Sequence, residues 1–133
     1  MAAPSEFVRY QCDRLQFLGA VEPRRMFSGH GLFLDGRMFA LVIDDELYLK
    51  ADAGNRPVFE TRGMRVFSYS RRGKIVELGY YALDAEAQED EGLLLDLARL
   101  ALEAAWRAPR PPARRRRSSE TPLQGAARNR SAR

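Results

Sequence analysis

The residues of this chain that could support catalysis or metal binding are few. Its single histidine, His30, lies between Gly29 and Gly31. A metal site usually needs several His or Cys ligands, and a general base needs a nucleophile or an orienting group beside it. The two glycines could cradle an anion through their backbone amides, but the third glycine of a dinucleotide fingerprint is missing. We therefore interpret residues 29–31 as a turn.

Cys12 and the acidic clusters offer equally little chemistry. Cys12 falls on the apolar side of a predicted helix, whereas a reactive thiol needs exposure and positive surroundings. A lone cysteine also excludes an intrachain disulfide. Asp44, Asp45 and Glu46 lack the spacing of a calcium loop, and the acidic run 84–90 suits the start of a helix, although it could also meet a basic partner. We predict no catalytic residue, no metal ligand and no cofactor.

Aromatic side chains are numerous for a chain of this size. Aromatic residues beside basic ones can stack nucleic-acid bases. Here they fall at inward strand positions as often as at outward ones, which favours core packing and leaves a protein interface as the alternative. The set, with one neighbouring methionine, comprises Met26, Phe27, Phe33, Phe39, Phe67, Tyr69, Tyr80 and Tyr81.

Four consecutive arginines, Arg114, Arg115, Arg116 and Arg117, give the one positive functional signal. Arginine clusters bind phosphate backbones by releasing counterions. No base-reading module accompanies them, so such contact with nucleic acid would be weak and non-specific. The alternative is a solvated tail without a binding role. Residues 109–133 hold too few apolar side chains to offset their ordering entropy, and we predict that they are disordered.

The charge of the chain is divided between this tail and the body. The net charge of the 133 residues is +4, but residues 107–133 contain nine Arg and one Glu and so carry +8, which leaves −4 for the remainder. The mildly acidic body is therefore a poor candidate for binding phosphate by charge alone. We find no secretion signal and no membrane-spanning segment, and we expect a cytoplasmic protein.

Three helices and about six strands are predicted to form the body. The first helix is capped by Ser5 and ends near Gly19; the others span about 52–62, with Asn55 favoured as the cap, and 92–107. Short apolar or alternating segments predict strands at 25–28, 32–34, 38–43, 46–50, 65–69 and 74–83. The apolar run 38–43 suits a central strand buried on both faces.

Tight turns join these strands, and Asp35-Gly36 is the strongest two-residue hairpin signal among them. The sheet should therefore be mostly antiparallel. We predict an α+β fold of two layers, with a mostly antiparallel sheet of about six strands flanked by three helices. The domain spans residues 1–108, and the disordered tail rich in Arg, Pro and Ala spans 109–133.

The order and spacing of several blocks resemble the TfoX N-terminal domain over roughly residues 7–106. The matching blocks are Arg24-Arg25-Met26-Phe27-Ser28-Gly29-His30-Gly31-Leu32-Phe33, Asp35-Gly36-x-Met38-Phe39-Ala40-Leu41 and Asp44-x-Glu46-Leu47-Tyr48-Leu49-Lys50, followed by Asp52, Asn55-Arg56, Phe59-Glu60, Phe67-x-Tyr69, Gly73-Lys74 and Tyr80-Tyr81.

This resemblance implies a two-layer α+β fold without a cofactor or a known catalytic residue. It also implies a regulator of competence for DNA uptake, since full-length members are thought to act with a cyclic-AMP receptor-type activator at promoters. Those members carry a second, helical C-terminal domain, which we expect to be replaced here by the basic tail.

Our leading hypothesis is a non-enzymatic regulatory or adaptor protein that acts by protein–protein contact, with the tail adding affinity for nucleic acid. One alternative is an enzymatic or small-ligand domain that uses the strand faces around Tyr69, Tyr81 and His30. Such a domain would need an enclosed polar pocket. Another alternative is a structural homo-oligomer, of which a homodimer is the simplest form.

Overall fold

The computed structural model describes residues 5–26 and 28–109. In chain order the elements are α1 (Glu6–Leu15), a 3₁₀ turn (Gln16–Leu18), β1 (Glu22–Met26), β2 (Gly29–Leu34), β3 (Arg37–Ile43), β4 (Glu46–Lys50), α2 (Arg56–Thr61), β5 (Val66–Arg71), β6 (Lys74–Ala82), α3 (Ala85–Glu89) and α4 (Glu91–Arg107). The strands form one sheet in the order β1-β2-β3-β4-β6-β5, and every neighbouring pair is antiparallel. The predicted α+β class is confirmed.

Three of the strand connections are two-residue hairpins that lie where the sequence predicts tight turns. Asp35 and Gly36 adopt φ angles of 52° and 79°, the left-handed pair that a type I′ turn requires. The two-residue turns at 44–45 and 72–73 use the same left-handed backbone region. Asp tolerates this region better than most residues, which explains a turn made of two aspartates.

The predicted turn at 29–31 is wrong. Gly29 already pairs with Met26, and Gly31 lies within β2 opposite Leu41 of β3. A Cβ atom on Gly31 would come within 2.5 Å of the Met38 Sδ and 2.8 Å of the Met26 Sδ. Two methionine side chains thus pack over the backbone of Gly31, and a side chain there would require them to move.

The helices pack on one face of the sheet, and together they form what we call the helical layer. Side chains from α1, α2, α3 and α4 join strand residues of that face in the larger apolar cluster, with Leu15, Phe59 and Leu94 fully buried. The opposite face, which we call the open face, holds a smaller cluster built from strand residues alone. No helix of the described residues covers it.

The described chain contains four α-helices instead of the expected three, because the acidic run divides into two helix starts. Asp84 Oδ1 accepts a hydrogen bond from the Ala87 amide at 2.9 Å and begins α3. Asp90 Oδ1 accepts one from the Leu93 amide at 3.0 Å and begins α4. Each aspartate satisfies an amide that the first helical turn leaves without a partner.

Candidate functional site

The residues around His30 form a shallow polar recess. His30 lies on β2, and the recess is lined by side chains that include Ser28, Arg25, Asp44 and Asp45. Within the described ranges, no three His, Cys, Asp or Glu side chains are arranged to hold a metal ion. The recess therefore presents a mixed polar surface and not a recognisable metal centre.

The three residues proposed for an alternative ligand site do not converge. The Tyr81 hydroxyl donates to Glu60 Oε2 at 2.8 Å, and its ring lies in the core beneath the helices. Tyr69 lies on β5, which is the fourth strand away from β2 and His30 in the sheet order. This separation corresponds to about 19 Å across the sheet. No single pocket can use all three side chains.

Cys12 is a core residue, as its helical position predicts. Its side chain is buried beside the apolar residues of α1 and the sheet. Burial raises the pKa of the thiol, and the nearby charge of Asp13 raises that pKa further. A buried thiol held in its neutral form is a poor nucleophile.

An exposed apolar surface lies where the 3₁₀ turn meets the end of α4, and we call it the apolar groove. It is formed by Phe17, Leu18, Leu102 and Trp106. Phe17 is 78% exposed and Trp106 is 52% exposed, although both are large apolar side chains. Both aromatic side chains line the same groove, and exposed aromatic residues are enriched at protein interfaces.

Arg37 fixes the groove's tryptophan in place. Its Nη1 donates to the backbone carbonyls of Ala105 and Trp106 at 2.9 and 3.0 Å, and to that of Ala108 at 3.3 Å. The same guanidinium lies 5.4 Å from the centre of the Trp106 ring. A cation on the last carbonyls of α4 also complements the helix dipole.

An ion pair also holds this end of α4. Arg107 Nε and Nη2 donate to the two carboxylate oxygens of Asp52 at 2.7 and 2.8 Å. Hydrogen bonding from Arg107 lowers the pKa of Asp52 to about 2. The contacts of Arg37 and Arg107 therefore both involve the last turn of α4, from which Trp106 projects.

Phe17 and Trp106 are not among the functional residues that the sequence predicts. Trp106 follows the apolar stripe of α4 by one position, next to the buried Ala105. Phe17 lies beyond the last turn of α1, so helical periodicity does not assign it a face. The signal that could have identified them is that each is a large aromatic residue near the C-terminal end of a predicted helix.

The arginine cluster Arg114, Arg115, Arg116 and Arg117 lies outside the described residues, as does all of the predicted tail except Pro109. The last described elements are α4 and its C-cap, Ala108. None of the described helices is long and apolar enough to cross a membrane.

The fold and these surfaces define a class: a two-layer α+β domain with an open antiparallel sheet and an exposed aromatic groove. The TfoX N-terminal domain family matches residues 13–105. The chain therefore belongs to this family, as the sequence resemblance predicted.

Two relatives show the same relationship. Protein Sxy of Escherichia coli (strain K12) is 31% identical over 93 residues, which cover 70% of this chain and 44% of Sxy. DNA transformation protein TfoX1 of Aliivibrio fischeri (strain ATCC 700601 / ES114) is 30% identical over 86 residues, which cover 65% of this chain and 41% of TfoX1. The matched region thus spans less than half the length of each relative.

Proposed function

We propose that this chain is a non-enzymatic regulatory protein of the TfoX N-terminal type, which acts in competence or transcription control by binding another protein through the apolar groove. The exposure of Phe17 and Trp106 in one groove carries this proposal. The relative named as a DNA transformation protein supports the regulatory setting.

The groove has the features of a protein-binding surface. Tryptophan is among the residues most enriched at binding hot spots, where truncation to alanine often costs 2 kcal/mol or more. Charged side chains at the edge, Arg99, Glu103 and Arg107, frame the apolar centre. Rim charges of this kind favour correct orientation and fast association more than affinity.

The family resemblance suggests one defined partner, a cyclic-AMP receptor-type activator. In this proposal the groove binds the activator while Arg114, Arg115, Arg116 and Arg117 add non-specific affinity for the adjoining DNA. Once the groove has bound the activator, the tail is held close to the DNA, and its effective concentration there is raised. Overall binding is therefore tighter than either contact alone would give.

The test of the groove is a binding titration of the full chain against the purified activator of the same organism. Phe17→Ser and Trp106→Ser should each weaken binding by about 30-fold, the effect of losing a hot spot of about 2 kcal/mol. Ile75→Ser is the matched control, because Ile75 is equally exposed but lies near the β5–β6 turn. Its affinity should not change.

Two results would reject this assignment. The first is an equal affinity for the wild-type chain, Phe17→Ser and Trp106→Ser. The second is a homodimer that dissociates when Trp106 is replaced, because the groove would then bind a second copy of this chain.

The contribution of the tail is measured separately. Replacement of Arg114, Arg115, Arg116 and Arg117 with glutamine in the full chain should reduce the salt dependence of duplex DNA binding. Four lost phosphate contacts correspond to a change of about 3.6 in the slope of log K against log salt concentration. An unchanged slope would remove the tail from the proposal without affecting the groove.

A further inference from the structure

The open face of the sheet combines aromatic rings with cationic side chains. Its apolar centre consists of Leu41, Ile43, Tyr48, Tyr80 and Ala82, and partly buried side chains including Phe67 pack against it. Phe67 packs edge-on against Tyr48, with 5.1 Å between ring centres, and lies 6.2 Å from the ring of Tyr69. These three rings form a row from β4 across β6 to β5.

Cationic side chains lie on or beside these rings. Arg24 lies over the ring of Phe33 at 4.4 Å, and Lys50 lies over the ring of Tyr80 at 5.4 Å. Met26 and Met38 belong to the open-face cluster, and their sulfur atoms lie over Gly31. The ring of Phe33 packs over Gly31 beside them, so Phe33 lies on the open face as well. Both cations therefore project from the open face.

Three more cations complete the set. Arg71 lies two positions after Tyr69 in β5, so the two side chains lie on the same face of the sheet. Lys74 pairs directly with Arg71 across the hairpin and therefore lies on that face too. Arg65 contacts Glu46 Oε2 at 2.7 Å, next to the hydrogen bond between Glu46 and the Tyr48 hydroxyl. The Arg65–Glu46 pair is exposed to solvent, so it is weak and can be exchanged for another anion.

The charges of the domain are therefore separated by layer. On the open face the five cations outnumber the two carboxylates, Glu22 and Glu46. In the helices and at their caps, six arginines (Arg9, Arg14, Arg56, Arg62, Arg99 and Arg107) are outnumbered by ten acidic side chains. The acidic side chains are Glu6, Asp13, Glu60, Asp84, Glu86, Glu89, Asp90, Glu91, Asp96 and Glu103. The negative charge of the body, which argued against phosphate binding, is an average over two unlike surfaces.

The side chains that are exposed on the open face indicate whether it binds a protein or a nucleic acid. Among the exposed large apolar side chains of the described residues, only Tyr69, at 37%, lies on the open face. The other apolar side chains there are partly or fully covered, whereas Arg24 and Arg65 are more than half exposed. A protein partner needs apolar area to bury, but a polyanion with flat rings needs cations and ring faces.

We propose that the open face binds single-stranded nucleic acid, with Arg65, Arg71 and Lys74 contacting phosphates and Tyr69 stacking on a base. Stacking on aromatic rings beside a basic surface holds unpaired bases without reading their sequence. A duplex keeps its bases stacked inside, so it cannot use the ring of Tyr69. This site is separate from the apolar groove and does not depend on the proposed protein partner.

The experiment measures the fluorescence anisotropy of labelled dT15 and rU15 with the full chain. Arg114, Arg115, Arg116 and Arg117 are replaced by glutamine in every sample so that the tail does not contribute. In this background Tyr69→Ser should weaken binding about 5-fold or more, the effect of losing one stacked base. The double variant Arg71→Gln/Lys74→Gln should lower the salt slope by about 1.4.

Matched controls make the same chemical changes on the helical layer. Tyr10→Ser removes an exposed tyrosine from α1, and Arg9→Gln/Arg56→Gln removes two exposed arginines from α1 and α2. Neither should change affinity for dT15 or rU15. Because all these side chains are exposed, the folded state of each variant can be verified by circular dichroism before titration.

Several outcomes would overturn the proposal. One is the absence of binding to both oligonucleotides at low salt. Another is equal affinity for dT15 and for an abasic oligomer of the same length, since the bases would then have no role. A third is binding of an acidic, phenylalanine-containing 15-residue peptide but not of dT15, which would assign the open face to a protein partner.

Discussion

Replacing Asn55 with alanine should destabilise the domain strongly, although this residue lies in a short loop before α2. The side chain of Asn55 is only 2% exposed. Its Nδ2 donates to the carbonyls of Lys50 and Leu100 at 3.1 and 2.9 Å, and its Oδ1 accepts from the Asp52 amide at 2.8 Å. One amide thus connects the end of β4, the loop before α2 and the middle of α4.

The magnitude follows from these three contacts. Each hydrogen bond contributes a net of about 1 kcal/mol, and the stranded Asp52 amide adds a desolvation cost. We expect Asn55→Ala to lower the free energy of unfolding by about 3–4 kcal/mol. Domains of this size are stable by only about 5–15 kcal/mol, so the loss is large.

The assay is urea denaturation of the full chain followed by circular dichroism, where the midpoint should fall while the m-value stays constant. Gln16→Ala is the matched control, because the Gln16 Nε2 also donates to two carbonyls, those of Cys12 and Val21, but the residue is exposed. We expect that variant to lose less than about 1 kcal/mol. An Asn55→Ala loss no larger than the Gln16→Ala loss would refute the reasoning.

Three further predictions concern other contacts. The pKa of Asp52 is lowered to about 2 by its ion pair with Arg107. This pair therefore stabilises the fold above about pH 4, and its contribution disappears as the pH falls towards 2. In a carbon-13 NMR titration, Arg107→Gln should return the pKa of Asp52 towards its ordinary value. Gly29→Ala should cost about 1–3 kcal/mol in urea denaturation, because a methyl group there meets the backbone carbonyl oxygen of Val42; an unchanged midpoint would contradict this close contact between β2 and β3. Cys12 should react with a thiol reagent at least about 100-fold faster in urea than in buffer, and rapid native reaction would show that the thiol is accessible.

Features set by local patterns were predictable from the sequence. The apolar run 38–43 forms most of β3, and both faces of that strand are largely buried because helices cover one side and open-face side chains cover the other. Asp35-Gly36 forms the expected hairpin because only a few residue types tolerate its backbone angles. The stripe on α4 that includes Leu94 and Leu97 is buried as its helical spacing predicts.

Features that depend on tertiary neighbours were not predictable. The role of Gly31 depends on Met26 and Met38, which approach it only when three strands are assembled. The apolar groove depends on Phe17 and Trp106, which lie 89 positions apart in the sequence and line one groove only because α4 packs beside the 3₁₀ turn. The charge of each face of the sheet was also not predictable from the net charge, because the order of the strands decides which cationic side chains lie together.

The central claim, that the domain acts through the apolar groove, is tested most directly by hydrogen–deuterium exchange of the full chain with and without the cyclic-AMP receptor-type activator. We predict slower exchange of backbone amides in two places, the 3₁₀ turn Gln16–Leu18 and the last turn of α4 up to Arg107. Protection confined to the open face, or no change anywhere in residues 5–109 at saturating activator, would contradict the claim.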